Sequence, residues 1–125
     1  MAITKTFTAL LAAVSVPAGT TKAAPNAVAV SATADCNAHY GGLLTYAIAN
    51  GASAPGAPVS MTFQVSADGA AWRDLWTVGG DTLANSAYSG TIDLPRAAKY
   101  VRVIAYGNTT NAVTVSAELQ AVTGL

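Results

Sequence analysis

Apolar and polar positions alternate with a period of two along most of this chain. Val59–Ser66 is the clearest case, with Val59, Met61, Phe63 and Val65 expected inward and Ser60, Thr62, Gln64 and Ser66 outward. Leu43–Asn50 places Leu44, Tyr46 and Ile48 on one face, and Ser86–Leu94 does the same through Tyr88, Gly90, Ile92 and Leu94. Ala112–Val122 repeats the pattern with Val113, Val115, Ala117 and Leu119. Ala71–Val78 carries Trp72 and Trp76 on one expected side with Asp74 between them. Tyr100–Tyr106 is a strong β run whose Val101 and Val103 oppose Arg102 and Ile104, so polarity alone does not separate its faces. Ala27–Thr33 alternates weakly, and Thr4–Val16 is a β-branched run suited to a strand or an extended arm.

Turn chemistry punctuates these runs. Asn50-Gly51 opens a Pro/Gly/Ser loop through Pro58, and Asp68-Gly69 is a hairpin signal. Pro17–Thr20, Gly79-Gly80-Asp81, Pro95 and Gly107–Asn111 close the other runs. About eight short strands at this spacing predict an all-β chain, a sandwich or a barrel. Alanine favours helices, but here it alternates with Val, Ser and Thr and is interrupted by Gly and Pro. A helical turn at Leu83–Ala87 or Pro95–Lys99 is the most that the pattern allows.

The first 23 residues imitate a secretory signal, with Lys5, an apolar Phe7–Val16 and Thr21-Lys22-Ala23. Thr8 and Ser15 dilute that apolar run, and about 20 apolar residues would be needed to span a bilayer. The expected organisation is therefore an N-terminal arm or first strand over residues 1–23 and a β-sandwich domain over 24–125. The 125 residues suit one domain.

Composition narrows the function. Charged residues are only 10% of the chain, and six basic residues balance six acidic ones. Nucleic-acid binding needs clustered cations, and so does binding to an anionic membrane; neither partner is expected. A near-neutral surface gives little colloidal protection, which points to work inside an assembly. Cys36 is the single cysteine and His39 the single histidine, so no intrachain disulfide and no multi-cysteine metal site can form. Three residues apart near a turn, these two read as a buried thiol and a loop imidazole rather than a nucleophile and its base. No Ser-His-Asp set, phosphate loop or carboxylate pair is present, so the chain is expected to be no enzyme and to carry no cofactor. Asp68, Asp74 and Asp81 lack the dense acidic spacing of a calcium loop. Arg73, Arg96 and Arg102 read as scattered surface charges.

Two resemblances add to this reading. Ser66-Ala67-Asp68-Gly69-Ala70-Ala71-Trp72 followed by Leu94–Val103 resembles the hairpin and arginine-containing strand of discoidin-like jelly rolls, over about 40 residues. The chain is shorter than those domains and lacks the disulfide pair that many of them carry. The second resemblance covers nearly the whole chain. Val16–Thr21, Tyr40–Thr45, Ile48–Gly56 and Asn108–Val115, in an Ala/Thr/Val-rich background, resemble small structural proteins of tailed bacteriophages, with capsid decoration (cement) proteins as the functional match.

That second resemblance implies a β-sandwich on the outer surface of the virion capsid. Its partners would be the major capsid protein and itself, as a dimer or trimer. Residues Met1–Ala13 are the expected contact arm, with Ile3, Phe7, Leu10 and Leu11 as interface residues working by strand addition. The alternative is a glycan- or receptor-binding module on a tail or fibre, with Trp72, Asp74 and Trp76 as a stacking platform. A secreted bacterial adhesion domain is a third reading, which requires cleavage of the N-terminal segment.

Overall fold

The computed structural model describes residues 3–124; Met1 and Ala2 of the expected arm, and Leu125, lie outside the described residues. Among the described residues there are eight strands: β1 Thr4–Val16, β2 Ala34–Asp35, β3 Gly42–Asn50, β4 Ser60–Ser66, β5 Trp72–Gly79, β6 Ala87–Leu94, β7 Tyr100–Tyr106 and β8 Val113–Gly124. They form two four-stranded antiparallel sheets, ordered β1-β8-β3-β6 and β2-β7-β4-β5. The all-β sandwich expected from the alternation is the observed fold.

The inward residues follow the sequence pattern closely. Leu44 and Ile48 of β3 meet Val113, Val115, Ala117, Leu119 and Ala121 of β8, facing Val59, Met61 and Phe63 and the Val101, Val103 and Ala105 row of β7. Only one apolar row of β7 enters this core, which settles the face that its own sequence leaves open. Tyr46 and Phe63 touch across the sandwich with ring centroids 6.5 Å apart. The Tyr46 ring occupies the space above Gly90, where an added Cβ would lie 2.6 Å from its Oη. Glycine is required there because the ring from the neighbouring strand fills what a side chain would need.

Three expectations are corrected. Ala27–Thr33 is not a strand. It forms a 3₁₀ turn at Ala27–Ala29, capped by Asn26, whose Oδ1 accepts from the Val28 N–H at 3.1 Å, and then a single bridge from Val30 to Ile104. The run is too short of large apolar residues to hold a ladder through a core position. The allowed helical turns shrink to single tight turns, closed by the Ser86 N–H on the Leu83 carbonyl at 3.4 Å and the Ala98 N–H on the Pro95 carbonyl at 3.1 Å, and Ala87 already opens β6. Thr62, Gln64 and Ser66 do lie on the outer side of β4, but they are buried there. The Pro17–Pro25 loop lies over this side, with Lys22 reaching Asp74 on β5 and the Gly107 N–H donating to the Thr20 carbonyl.

Strand β1 lacks clean alternation and is accommodated by bulges. Register shifts fall at Thr4/Lys5, Ala9/Leu11 and Leu11/Val14 along its pairing with β8. The shift at Ala9/Leu11 inserts one residue, so that neighbouring Leu10 and Leu11 are both buried instead of pointing to opposite faces. Ala13 takes φ 50 in the next bulge. Fully buried Asn108 closes this end, its Nδ2 donating to the Val16 carbonyl at 3.0 Å and the Asn111 carbonyl at 2.9 Å.

Candidate functional surfaces

The sandwich leaves two flanks. One is the β1 edge of the first sheet, above the two-residue β2; the other is where the β5 and β6 edges end the two sheets.

On the β1 flank, Ile3 and Phe7 are exposed, Phe7 at 59%, while Leu10 and Leu11 are spent in the core. The interface set Ile3, Phe7, Leu10 and Leu11 is thus divided by the bulge: its first two members face solvent and its last two pack within this chain. Phe7 lies opposite Gln120, which lies opposite Leu43, so Phe7, Gln120 and Leu43 form one row across the outer face. Thr4–Ala9 is exposed at every position. Its Thr6 hydroxyl hydrogen-bonds that of Thr123 at 2.9 Å.

The Trp72, Asp74 and Trp76 platform is not brought together. A register shift between Phe63 and Gln64 gives β5 one extra residue, Leu75, which packs against the core. Trp72 and Asp74 therefore lie opposite Ser66 and Gln64 on the outer side, whereas Trp76 lies opposite Phe63, on the inner side. Trp72 is half-buried, with the Arg102 guanidinium carbon 4.4 Å from its ring centroid. Arg102 Nε donates to Gln64 Oε1 at 2.9 Å, and Gln64 Nε2 donates to Asp74 Oδ1 at 3.0 Å. Asp74 also pairs with Lys22. The Gln64 hydrogen bond, followed by that of Lys22, holds the Asp74 carboxyl below the usual carboxylate range. The polar groups of this face thus bind one another and the overlying loop.

Trp76 remains open at 57% exposure on the β5–β6 flank. Leu83, 66% exposed in the β5–β6 loop, and exposed Tyr88 on β6 share that flank. Tyr88 lies opposite Ile48 on the side its alternation predicts, yet at the sheet edge it is exposed, and the sequence signal for Leu83 as a surface residue was a lone Leu between Gly79 and Ser86. Asp81 braces the loop. Its Oδ1 accepts from the Leu83 N–H at 3.0 Å and from Asn50 Nδ2 at 2.9 Å, and its Oδ2 accepts from Ser86 Oγ at 2.9 Å and from Tyr88 Oη. These bonds, that of Tyr88 foremost, lower the Asp81 pKa. The loop is therefore a braced support for Leu83.

Two further features bear on chemistry. At the β4–β5 hairpin an open groove of about 370 Å³ is lined in part by Arg73, Lys99 and Asp68. Asp68 is occupied there as a turn residue, its Oδ1 accepting from the Ala70 and Ala71 N–H groups at 2.8 and 2.9 Å. Cys36 is buried, and burial, followed by the charge of Asp35, pushes its thiol up to about 11. It stays protonated at neutral pH and lacks the thiolate character that a nucleophile needs.

No protein-family model matches the chain, and no curated protein matches it. Among solved structures it is similar to a protein of Bacillus endospore appendages, described as forming a family of disulfide-linked pili. The TM-score is 0.54 at 11% identity, covering 100% of this chain and 93% of that one. It is also similar to the K3 cleaved adhesin domain of Lys-gingipain from Porphyromonas gingivalis w83, with TM-score 0.49 at 18% identity over 75% of this chain and 61% of that one. The SPBc2 prophage-derived protein YomS gives TM-score 0.47 at 14% identity over 96% of each chain. At 11% identity the first of these likenesses speaks for the sandwich fold.

Proposed function

We propose that this chain is a non-enzymatic capsid decoration, or cement, protein of a bacteriophage that binds the outer surface of the major capsid shell and bridges neighbouring subunits. The observation that carries this reading is the pair of apolar flanks on a sandwich whose core is already complete. Ile3 and Phe7 stand on one flank, and Trp76, Leu83 and Tyr88 on the other. Exposed large apolar groups cost solubility unless a partner covers them, and aromatic residues are the anchors that interfaces favour. Bridging needs contacts on two sides of one body, which this arrangement supplies. A surface with few charges suits contacts made by shape and apolar area more than by steering. The fold adds support, because the Bacillus relative in structure belongs to an assembled appendage. That neighbour's pili are disulfide-linked, whereas Cys36 here is single and buried, so contacts of this chain would be non-covalent.

A glycan- or receptor-binding module on a tail or fibre is the second reading, and the exposed indole of Trp76 is what favours it. Imaging particles that carry this chain separates the two. Copies repeated over the shell at capsomer seams are expected, and particles lacking the chain should assemble but lose stability. A few copies confined to the tail, with stability kept and adsorption lost, would overturn the cement role. In a shell-binding assay Trp76→Ser and Leu83→Ser should each weaken binding, while the same changes leave the melting temperature within a few degrees.

A further inference from the structure

The geometry points to a homodimer in which two copies pair their β1 edges antiparallel about a two-fold axis at Phe7, joining their first sheets into one continuous eight-stranded sheet. Strand β1 is hydrogen-bonded on one side only, to β8, so its other edge presents unpaired backbone groups. Register shifts at Thr4/Lys5 and Ala9/Leu11 bracket one regular stretch, Lys5–Ala9, and Phe7 is its central residue. A strand pairing with its own copy across a perpendicular two-fold keeps each side chain on its face only when paired residue numbers share parity. Centring on Phe7 satisfies this and uses the whole regular stretch in both copies. Phe7 then faces the Phe7 of the second copy, Thr6 faces Thr8, and Lys5 faces Ala9.

Charge selects that register. Ala9 lies opposite Glu118 on β8, so Lys5 of one copy falls in the same cross-strand row as Glu118 of the other, two strands away. At roughly 4.8 Å between strands that is about 10 Å between backbones, within reach of a lysine and a glutamate extended toward each other. Among the described residues the single ion pair is Lys22–Asp74, which leaves both Lys5 and Glu118 without one inside the subunit; Glu118 Oε2 accepts a long bond of 3.4 Å from Thr45 Oγ1 on β3, which it exchanges for the lysine by turning toward β1. Moving the axis to Thr6 would instead set Lys5 against Phe7, and moving it to Lys5 would set two lysines face to face. Exposed Phe7, which the subunit itself does not cover, becomes the centre of the contact. The proposal holds in solution without a shell. Combined with the cement reading, on which this last step rests, the dimer uses its β1 flanks for self-association and carries one Trp76 flank at each end, one for each of two neighbouring shell subunits.

The test is the mass of the full chain by sedimentation or light scattering across a concentration series, with the far-ultraviolet spectrum and melting temperature followed for every variant. The expected mass is twice the 12.5 kDa of one chain. Phe7→Asp should give monomer. Lys5→Glu and Glu118→Lys should each weaken the dimer about tenfold, since the two-fold doubles every pair, and the double exchange Lys5→Glu with Glu118→Lys should recover it. A chain that stays monomeric to millimolar concentration overturns the dimer. So does a dimer indifferent to Phe7→Asp. Single exchanges that weaken association without recovery in the double variant overturn the Phe7 register. Failure to bind shells while the dimer persists would count against the cement role alone.

Discussion

Strands β4 and β1 show how differently one sandwich treats a clean pattern and a broken one. β4 alternates throughout, and its odd positions fill the core as expected, yet its even positions Thr62, Gln64 and Ser66 are buried too. β1 alternates poorly, and three register shifts adapt it to β8, burying Leu10 and Leu11 while Thr4–Ala9 stays open. A period of two identifies which side chains share a face. It carries no information about what covers the second face, because that depends on where the strand lies in the sheet and which loop crosses it. β4 is an inner strand beneath the Pro17–Pro25 loop; β1 is an edge strand with no strand beyond it among the described residues.

The contrast has measurable consequences. Phe63→Ala should cost about 3–5 kcal/mol in urea unfolding, since Phe63 is fully buried between Tyr46 and the Val101–Val103 row. Leu11→Ala should cost about 2–4 kcal/mol, because the bulge makes β1 a core strand at this point. If that change leaves stability untouched, β1 is an arm resting on the sandwich and not part of its core. Thr62→Val should cost about 1–2 kcal/mol by depriving the Tyr106 hydroxyl at 2.9 Å and the Thr77 hydroxyl at 3.0 Å of their partner. A neutral result would mean that the outer side of β4 is wetter than its burial indicates.

Acid should weaken the carboxylate contacts of the outer face and of the two loops before the core. Asp74 and Asp81 have lowered pKa values in the fold, as does Asp68 through the Ala71 and Ala70 N–H groups. A depressed carboxyl stabilises the folded state fully above about pH 4 and loses that contribution as the pH falls through the folded value. Thermal melts should therefore decline with acid below about pH 4, and less steeply in Asp74→Asn. Phe7→Ser should change stability least, by under about 0.5 kcal/mol at concentrations where the chain is monomeric, since its side chain is exposed. A larger loss would place Phe7 in the subunit's own packing.

The Trp72–Trp76 stretch shows where sequence reading stops. Its period of two implies one shared side, and a single bulge opposite Phe63/Gln64 divides it, leaving Trp72 and Asp74 bound into a polar network and Trp76 open. The bulge lies inside the hairpin that Asp68-Gly69 opens, where the cross-strand pairing and not the residues of β5 alone sets the register, and no glycine or proline announces it. Tyr88 falls on the inward row that its alternation predicts but stays exposed at the sheet edge, and Leu83 in the β5–β6 loop gains meaning as a surface residue only once that edge is placed.

The seven longer strands, most of their boundaries, the Asp68-Gly69 hairpin and the inward rows of β3, β4, β6 and β8 follow from local alternation and turn chemistry, which act over a few residues, whereas the two-residue β2 at Ala34–Asp35 does not. Sheet order, the bulges that keep Leu10 and Leu11 inside, the burial of Thr62 and Gln64, and the two exposed flanks were decided by packing. Those features depend on which distant segments lie side by side, and a backbone adjusts its register to satisfy the core before it satisfies the periodicity of any one strand.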